Sequence, residues 1–478
     1  MVFDNANDYS DVIAASHVSQ HWRFSAHSHR LYAVGLIIWA LHGEDVTSIL
    51  QRGIHRLESA PLPLDFHLSI DFTDWDTSHR LLWNELVVAL ARAMTRPGVR
   101  RMTLYINGVQ LDTALDRLRD TPAPLLESLT LVSQSVQAIS PLERLFTGYA
   151  PVLRDVAFSG VAINSITDST AFANVQQMEI MSDSIDLVIA LSACPVLQRL
   201  TLRNGELKLN IASTSNSAYL GVGHSLQKLV FDSVSWSTSD EALTAVFRAI
   251  MLPNIPTVRW SSDIAPPTVV FQELLHGLPP QGLSLALTRY EDLPDILNMR
   301  LGVLGTNMAS SSLLSGDVEA CVRDFVFTSP SEFTLWPWVG THRIAYLRIS
   351  HPLLFTILPK IPSFCLPQLL VMHIGIPSGV VDFWDPQNDL ASGRLLAPRL
   401  RRLTLFATHA EKTVVAVTGL VCLATQVLGL SLVGADLPVS GSIRPDLHLV
   451  NLMINEQEEE LPRLFGRIDF EETDVAGP

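Results

Sequence analysis

The sequence predicts an α/β fold built by repetition, with a curved parallel sheet on the inside and helices on the outside. Three observations predict it. A motif of the form P-x-L-x-x-L-x-L returns along most of the chain. Its second half alternates apolar and polar residues, as a strand buried on one face requires. The stretches between copies carry apolar residues at helical spacing.

The motif is plain in "PGVRRMTL" from Pro97, "PLLESLTL" from Pro124, "PVLRDVAF" from Pro151 and "PVLQRLTL" from Pro195. It returns in "PRLRRLTL" from Pro398 and "PDLHLVNL" from Pro445. Looser copies start at Ala173, His224, Pro253, Ala320, His342, Pro367 and Thr425, and the loosest lies near Leu283. That makes about fourteen copies, roughly 20–31 residues apart with one gap of about 40, within the range of leucine-rich repeats. A strand–turn–helix unit of this size cannot bury its faces alone, so units stack. The fold class expected is therefore an α/β leucine-rich-repeat solenoid over residues 96–460.

The intervening helices follow the same logic. "WNELVVALARAMT" (Trp83–Thr95) puts Leu86, Val87, Leu90 and Met94 on one face. "DEALTAVFRAIML" (Asp240–Leu252) does so with Leu243, Val246, Phe247 and Ile250, and Asp240 stands where a cap belongs. "SIDLVIALSAC" and "LFTILPKI" are similar. The uncharged run Val414–Ala435 is about 22 residues long, enough to span a bilayer. Its polar and glycine interruptions, and the lack of a basic flank, point instead to a buried outer helix, "TVVAVTGLVCL", followed by a strand, "LGLSLVG".

At the N-terminus, "SHVSQHWRFSAHSHRLY" holds His17, His21, His27 and His29. The H-x-x-x-H spacing suits two imidazoles on one helical face, but no acid lies between and no H-E-x-x-H occurs. Solvated helix-surface histidines are expected. The apolar stripe instead includes Ile13, Val18 and Trp22. "VIAASHVSQHWRFSAHSHRLYAVGLI" resembles the second half of an F-box, in which a helix carries V-x-x-x-W-R ahead of a short loop and a bulky aromatic. Val18, Trp22 and Arg23 match, and Tyr32 stands where that family usually has tryptophan. "ILQRGIHRLESAPLPLDFHLSIDF" resembles the linker after the F-box in the large mushroom-type family of fungal F-box/leucine-rich-repeat proteins, a helix and then an apolar strand. The resemblance implies a Skp-family linker protein as partner, docked through Val12, Ile13, Val18, Trp22, Arg23 and Tyr32. The family's opening L-P motif and first helix are expected to be absent. The organisation expected is a partial F-box-like helical segment at 1–43, a linker helix and strand at 44–95, the solenoid at 96–460, and an acidic tail at 461–478.

Bulk properties narrow the function. The 478 residues are 47% hydrophobic and 17% charged, with net charge −15, so a large core is available. An acidic chain without a basic block argues against nucleic acid and against a membrane surface. The four cysteines, Cys194, Cys321, Cys365 and Cys422, form no CxxC pair, which predicts buried free thiols. The N-terminus "MVFDNANDYSDV" lacks a signal-peptide pattern, and no N-x-S/T acceptor occurs, so an intracellular setting, cytoplasmic or nuclear, is expected. Asp71, Asp74 and Asp76 do not follow EF-hand spacing, and "GVGHSL" at Gly221 lacks the third glycine and leads into a strand. No hydrolase, kinase or Walker signature occurs. No enzyme, cofactor or metal is expected.

The repeat does offer a surface. Residues alternating with the leucines are expected on the concave face: Arg101, Tyr105, Arg199, Arg203, Lys228, Arg259, Arg348, His373 and Arg402, with Glu179, Asp232, Asp324 and several threonines. Two readings stand open. A basic-leaning strip reads an acidic or phosphorylated segment, or polar residues simply fill solvent-facing positions. The function implied is a protein-binding adaptor. The resemblance makes it the substrate-recognition subunit of a Skp–cullin–F-box ubiquitin ligase capturing an unknown target, and the alternative is a stand-alone interaction module.

Overall fold

A computed structural model of the chain describes residues 35–40, 45–60, 63–70, 77–133, 142, 144–161, 170–181, 187–207, 225–236, 244–245, 247–248, 250–262, 268–278, 282–290, 293–303, 321–327, 341–350, 353–354, 364–376, 395–408, 413–430, 444–454 and 461–472. The chain divides into two compact units, Met1–Met251 and Leu252–Pro478. The fold is mixed α/β, with mostly parallel pairing and few helices.

In the first unit eight parallel strands pair in chain order: β1 (Gly35–Ala40), β2 (Leu64–Ile70), β3 (Val99–Ile106), β4 (Ser128–Ser133), β5 (Asp155–Ser159), β6 (Gln177–Met181), β7 (Arg199–Leu207) and β8 (Lys228–Trp236). Helices α1 (Val46–Ser59), α2 (Thr77–Ala93), α3 (Gly108–Arg119) and α4 (Leu187–Ala193) lie between strands. Capping fixes two starts. The Asp45 carboxylate accepts from Ser48 N at 3.2 Å, and the Asn107 side chain accepts from Gln110 N at 3.2 Å. The expected face of α2 is buried, with Leu86, Val87 and Leu90, and Met94 just beyond it. β1 lies within the stretch read as F-box-like helices, so the sheet starts earlier than the motif suggests.

The proline of the motif has a local cause. The N–H of the motif's first leucine donates to the carbonyl just before the proline: Leu126 to Ala123, Leu153 to Ala150, Leu197 to Cys194, Leu369 to Leu366 and Leu400 to Ala397, at 3.0–3.4 Å. This is a β-turn with proline at its second position, where a fixed φ near −65° is already correct. Each turn delivers the chain into the next strand, and its leucine is buried.

The two later apolar positions stack across the sheet. One row runs Leu36, Phe66, Met102, Leu129, Val156, Met178, Leu200, Leu229. The other runs Ile38, Leu68, Leu104, Leu131, Phe158, Ile180, Leu202, Phe231. No member of either row is more than 4% exposed.

The second unit contains β9 (Thr257–Ser262), α5 (Thr268–His276), β10 (Leu283–Tyr290), β11 (Leu293–Val303), β12 (Val322–Phe327), β13 (Ile344–Ser350), β14 (Phe364–Cys365), β15 (Val371–Ile376), β16 (Leu395–Leu396), β17 (Arg402–Ala407), β18 (Thr413–Val415), α6 (Val417–Cys422), β19 (Asp446–Val450), β20 (Leu452–Ile454), α7 (Leu461–Leu464) and β21 (Ile468–Glu471). Its main sheet pairs in the order β9, β12, β11, β10, β13, β15, β17, β19, β21. β14–β16 and β18–β20 form two short side pairs. β11 is antiparallel to both neighbours. It follows β10 after two residues, too few for a parallel crossover, so it can only turn back. Residues 461–472, read above as tail, supply α7 and the closing edge strand β21.

The run from Val414 differs from its reading. Thr413–Val415 is a strand, the helix starts only at Val417, and Leu428–Leu430 is irregular. Among the described residues no helix is long and apolar enough to cross a membrane. All four cysteines are free, but only Cys194 is fully buried, and burial pushes its thiol up to about 12. The other three are partly exposed.

One core position breaks the pattern. The leucine row of the second unit runs Val258, Arg323, Leu301, Leu285, Leu347, Met372, Leu403, Leu447. Arg323 occupies it with no exposed surface. The copy at Ala320 is therefore shifted by two residues, placing Arg323 and Phe325 rather than Phe325 and Phe327 in the two core rows. The guanidinium is held by backbone carbonyls: Leu274 at 2.8 Å, Ile255 at 2.9 Å, Val322 at 3.0 Å, Pro256 at 3.2 Å and Pro253 at 3.2 Å. Leu274 lies in the last turn of α5, whose carbonyls have no helical partner, so Arg323 serves as its C-terminal cap. Gly277 lets α5 close on this point, since a Cβ there would stand 2.3 Å from the Pro253 oxygen.

Replacing Arg323 by Met keeps the volume but strands those carbonyls. We expect a loss of about 3 kcal/mol, read as a lower urea midpoint. Arg323→Lys, with fewer donors in a different geometry, is expected to recover only part of it.

Candidate functional site

Strand alternation that buries the leucine rows turns a second set of rows to the opposite face. In the first unit one such row runs Asp65, Arg101, Ser128, Asp155, Gln177, Arg199, Lys228. A second runs His67, Thr103, Thr130, Ala157, Glu179, Thr201, Val230. A third contains Trp39, Ser69, Tyr105 and Val132. Arg101, Arg199 and Lys228 thus share one row.

Two arginines of this sheet have carboxylate partners. Arg203 lies between Glu179 at 3.2 Å and Asp232 at 3.4 Å, and Arg100 pairs with Asp65 at 3.3 Å. A half-exposed arginine held by two carboxylates contributes little net field. The sequence placed Glu179 and Asp232 on this face but not their pairing with Arg203, which neighbouring strands bring together. It also missed an aromatic corner. Trp39 is 62% exposed and Tyr105 41% exposed, two strands apart across Ser69, with Ile37 beside them. β1 carries no motif, so only the alternation in "GLIIWA" signals it.

In the second unit the outward row reads Arg259, Asp324, Arg300, Ala286, Arg348, His373, Thr404, His448, Asp469. It joins Arg259, Arg348 and His373 in one line, while Arg402 stands in the next row, between Val371 and Asp446. Arg300 was not foreseen, because β11 runs against the repeat. Here the face is more covered. The Arg348 guanidinium lies 4.9 Å from the Phe406 ring centre, and His373 lies 4.9 Å from Tyr346 and 6.5 Å from Phe406. Phe406 reaches that far because Gly375 has no side chain; a Cβ there would stand 3.0 Å from the ring. Thr404 is buried, and its hydroxyl has no hydrogen-bond partner among the described residues. His448 contacts Glu471 at 3.0 Å.

Burial holds His373 down at about 3, with Arg348, His448 and Arg402 adding repulsion. Burial also lowers His67. Val12, Ile13, Val18, Trp22, Arg23 and Tyr32 lie outside the described residues, as do the N-terminal histidines, Asp71, Asp74, Asp76 and Glu456–Glu460. Among the described residues no group of three or more His, Cys, Asp or Glu is placed to hold a metal ion. Compared with known proteins, the chain matches no family model and no curated protein.

The histidine gives a pH prediction. Unfolded, His373 takes up its proton near 6.5; folded, it stays neutral to about 3. Stability from this residue is complete above pH 6.5 and falls through that window, by about 1.4 kcal/mol per pH unit at most. His373→Phe keeps the packing between Tyr346 and Phe406. Denaturant midpoints from pH 7 to pH 4.5 are expected to fall less steeply in the variant, with the contribution of His67 in the same direction retained.

Proposed function

We propose that this protein is a binding adaptor without chemistry of its own. A leucine-rich-repeat solenoid captures a target protein on the outward strand face, and the N-terminal segment docks on a Skp-family linker protein to bring the target to a cullin ubiquitin ligase. One observation carries the first half: parallel pairing sets rows of chemically varied side chains at a fixed spacing on one face, with exposed Trp39 and Tyr105 at its edge. Aromatic residues in such a position are the usual anchors of protein interfaces. The second half rests on the F-box resemblance of Val18, Trp22 and Arg23. The role is proximity: binding energy holds the target where an external enzyme acts.

The test is co-purification of the full chain from cells expressing a Skp-family linker and cullin. The linker should be recovered with the wild type and lost with Trp22→Ala together with Val18→Asp, while Trp39→Ala and Arg199→Glu reduce target recovery and leave the linker bound. Target recovery without the linker would make the chain a stand-alone interaction module. Loss of neither partner on these substitutions would overturn the assignment of both faces.

A further inference from the structure

We propose that the outward face of the second unit holds an anion site centred on Arg348, taking the phosphate or carboxylate group of a captured segment. The proposal rests on reading this face as a protein-binding surface and adds the chemistry it selects.

Arg348 differs from Arg203 in its surroundings. Its neighbours on this face are Ala286, Tyr346, Ser350, Val371, His373 and Gly375, and none carries a carboxylate. Its company is an aromatic ring and a neutral imidazole. A guanidinium held by a ring face keeps its full charge, because the ring quadrupole attracts the cation without neutralising it.

Among the described residues, three polar atoms at this place are buried without hydrogen-bond partners: Arg348 Nε, Ser350 Oγ and Thr404 Oγ1. Thr404 is only 4% exposed. It stands in the same row as Arg348, one strand beyond His373, so its hydroxyl belongs to the same face. A buried hydroxyl or guanidinium N–H left unpaired is costly, and all three groups can donate. An oxygen-rich anion is the ligand that satisfies several donors and the charge together. On the other side of Arg348, Ala286 separates it from Arg300 in the row. Only a methyl group therefore stands between the two arginines in this row. Phosphate and carboxylate share the chemistry this site recognises.

The site can be tested without any partner protein, so its failure is distinct from a failure of target capture. Thermal midpoints of the full chain are measured against rising inorganic phosphate, acetate or chloride at equal ionic strength. Phosphate, or phosphate and acetate, should raise the midpoint beyond chloride; phosphate alone marks a phosphoryl site, and both mark a carboxylate site. Arg348→Gln should weaken the apparent affinity about tenfold, the loss of one charge-assisted contact. Ala286→Asp places a carboxylate beside Arg348 across the parallel pair. It should raise the midpoint in chloride and remove the response to added anion. Arg203→Gln, in the first unit, should leave the response intact. No response beyond chloride, or an equal response in the wild type, Arg348→Gln and Ala286→Asp, would overturn the proposal.

Discussion

Everything in the first unit depends on two apolar rows staying in register. Leu104 must face Leu68 and Leu131, and Met102 must face Phe66 and Leu129. The side-chain period of a strand is two, so a slip of one residue would turn Met102 and Leu104 to the outside and bring Arg101, Thr103 and Tyr105 into the core. Burying an unpaired arginine is expensive enough to forbid this. The leucines therefore do more than stabilise the sheet. By fixing the register they decide which polar side chains become neighbours, and that decides which charges on the outward face are matched. The turn prolines set the phase: each Pro-x-Leu turn places its leucine and starts the next strand at the correct residue.

The second unit shows what happens when a row is interrupted. Arg323 takes a leucine's place, and the core accepts it because the backbone supplies oxygen atoms where a leucine would have supplied none of the needed contacts. Burial lowers the tendency of this guanidinium to stay charged, yet it joins the turn at Pro253, the end of α5 and β12 through one side chain. The antiparallel strand β11 belongs to the same irregularity, lying beside the strand that carries Arg323. A repeat rule reads each copy alone and cannot see either feature. The two-residue gap before Leu293 was the available sign of the reversal.

The sequence was most legible where cause is local. The motif located β3 to β7, β15, β17 and β19 because turn, leucine and alternation all lie within eight residues. The helical face of α2 was legible for the same reason. It was least legible where pairing is distant. Nothing near Gly35–Ala40 says that it adds to β2, and nothing near Ile468–Glu471 says that it adds to β19. The candidate site followed the same division. Alternation put Arg101, Arg199, Arg203, Arg348 and His373 on one type of face, but the contacts of Arg203 with Glu179 and Asp232, and of Arg348 with Phe406, come from other strands. The basic lean suggested by counting motif positions disappears around Arg203, where two carboxylates surround it, and persists around Arg348, where none does.

That contrast bears on how a repeat surface acquires selectivity. A charge already clasped by its neighbours must break those contacts before it can bind anything else, so it discriminates against few ligands and rewards few. A charge held by an aromatic face has lost water without gaining a counter-ion. Burial is the main reason His373 stays neutral, and the charges of Arg348, His448 and Arg402 add to it, so the row is also unfavourable to another cation. A cationic segment laid along this row is repelled at Arg348, and a neutral one brings carbonyl acceptors but no counter-charge. Selectivity on such a face comes less from the number of basic residues than from which of them the register leaves without an acid.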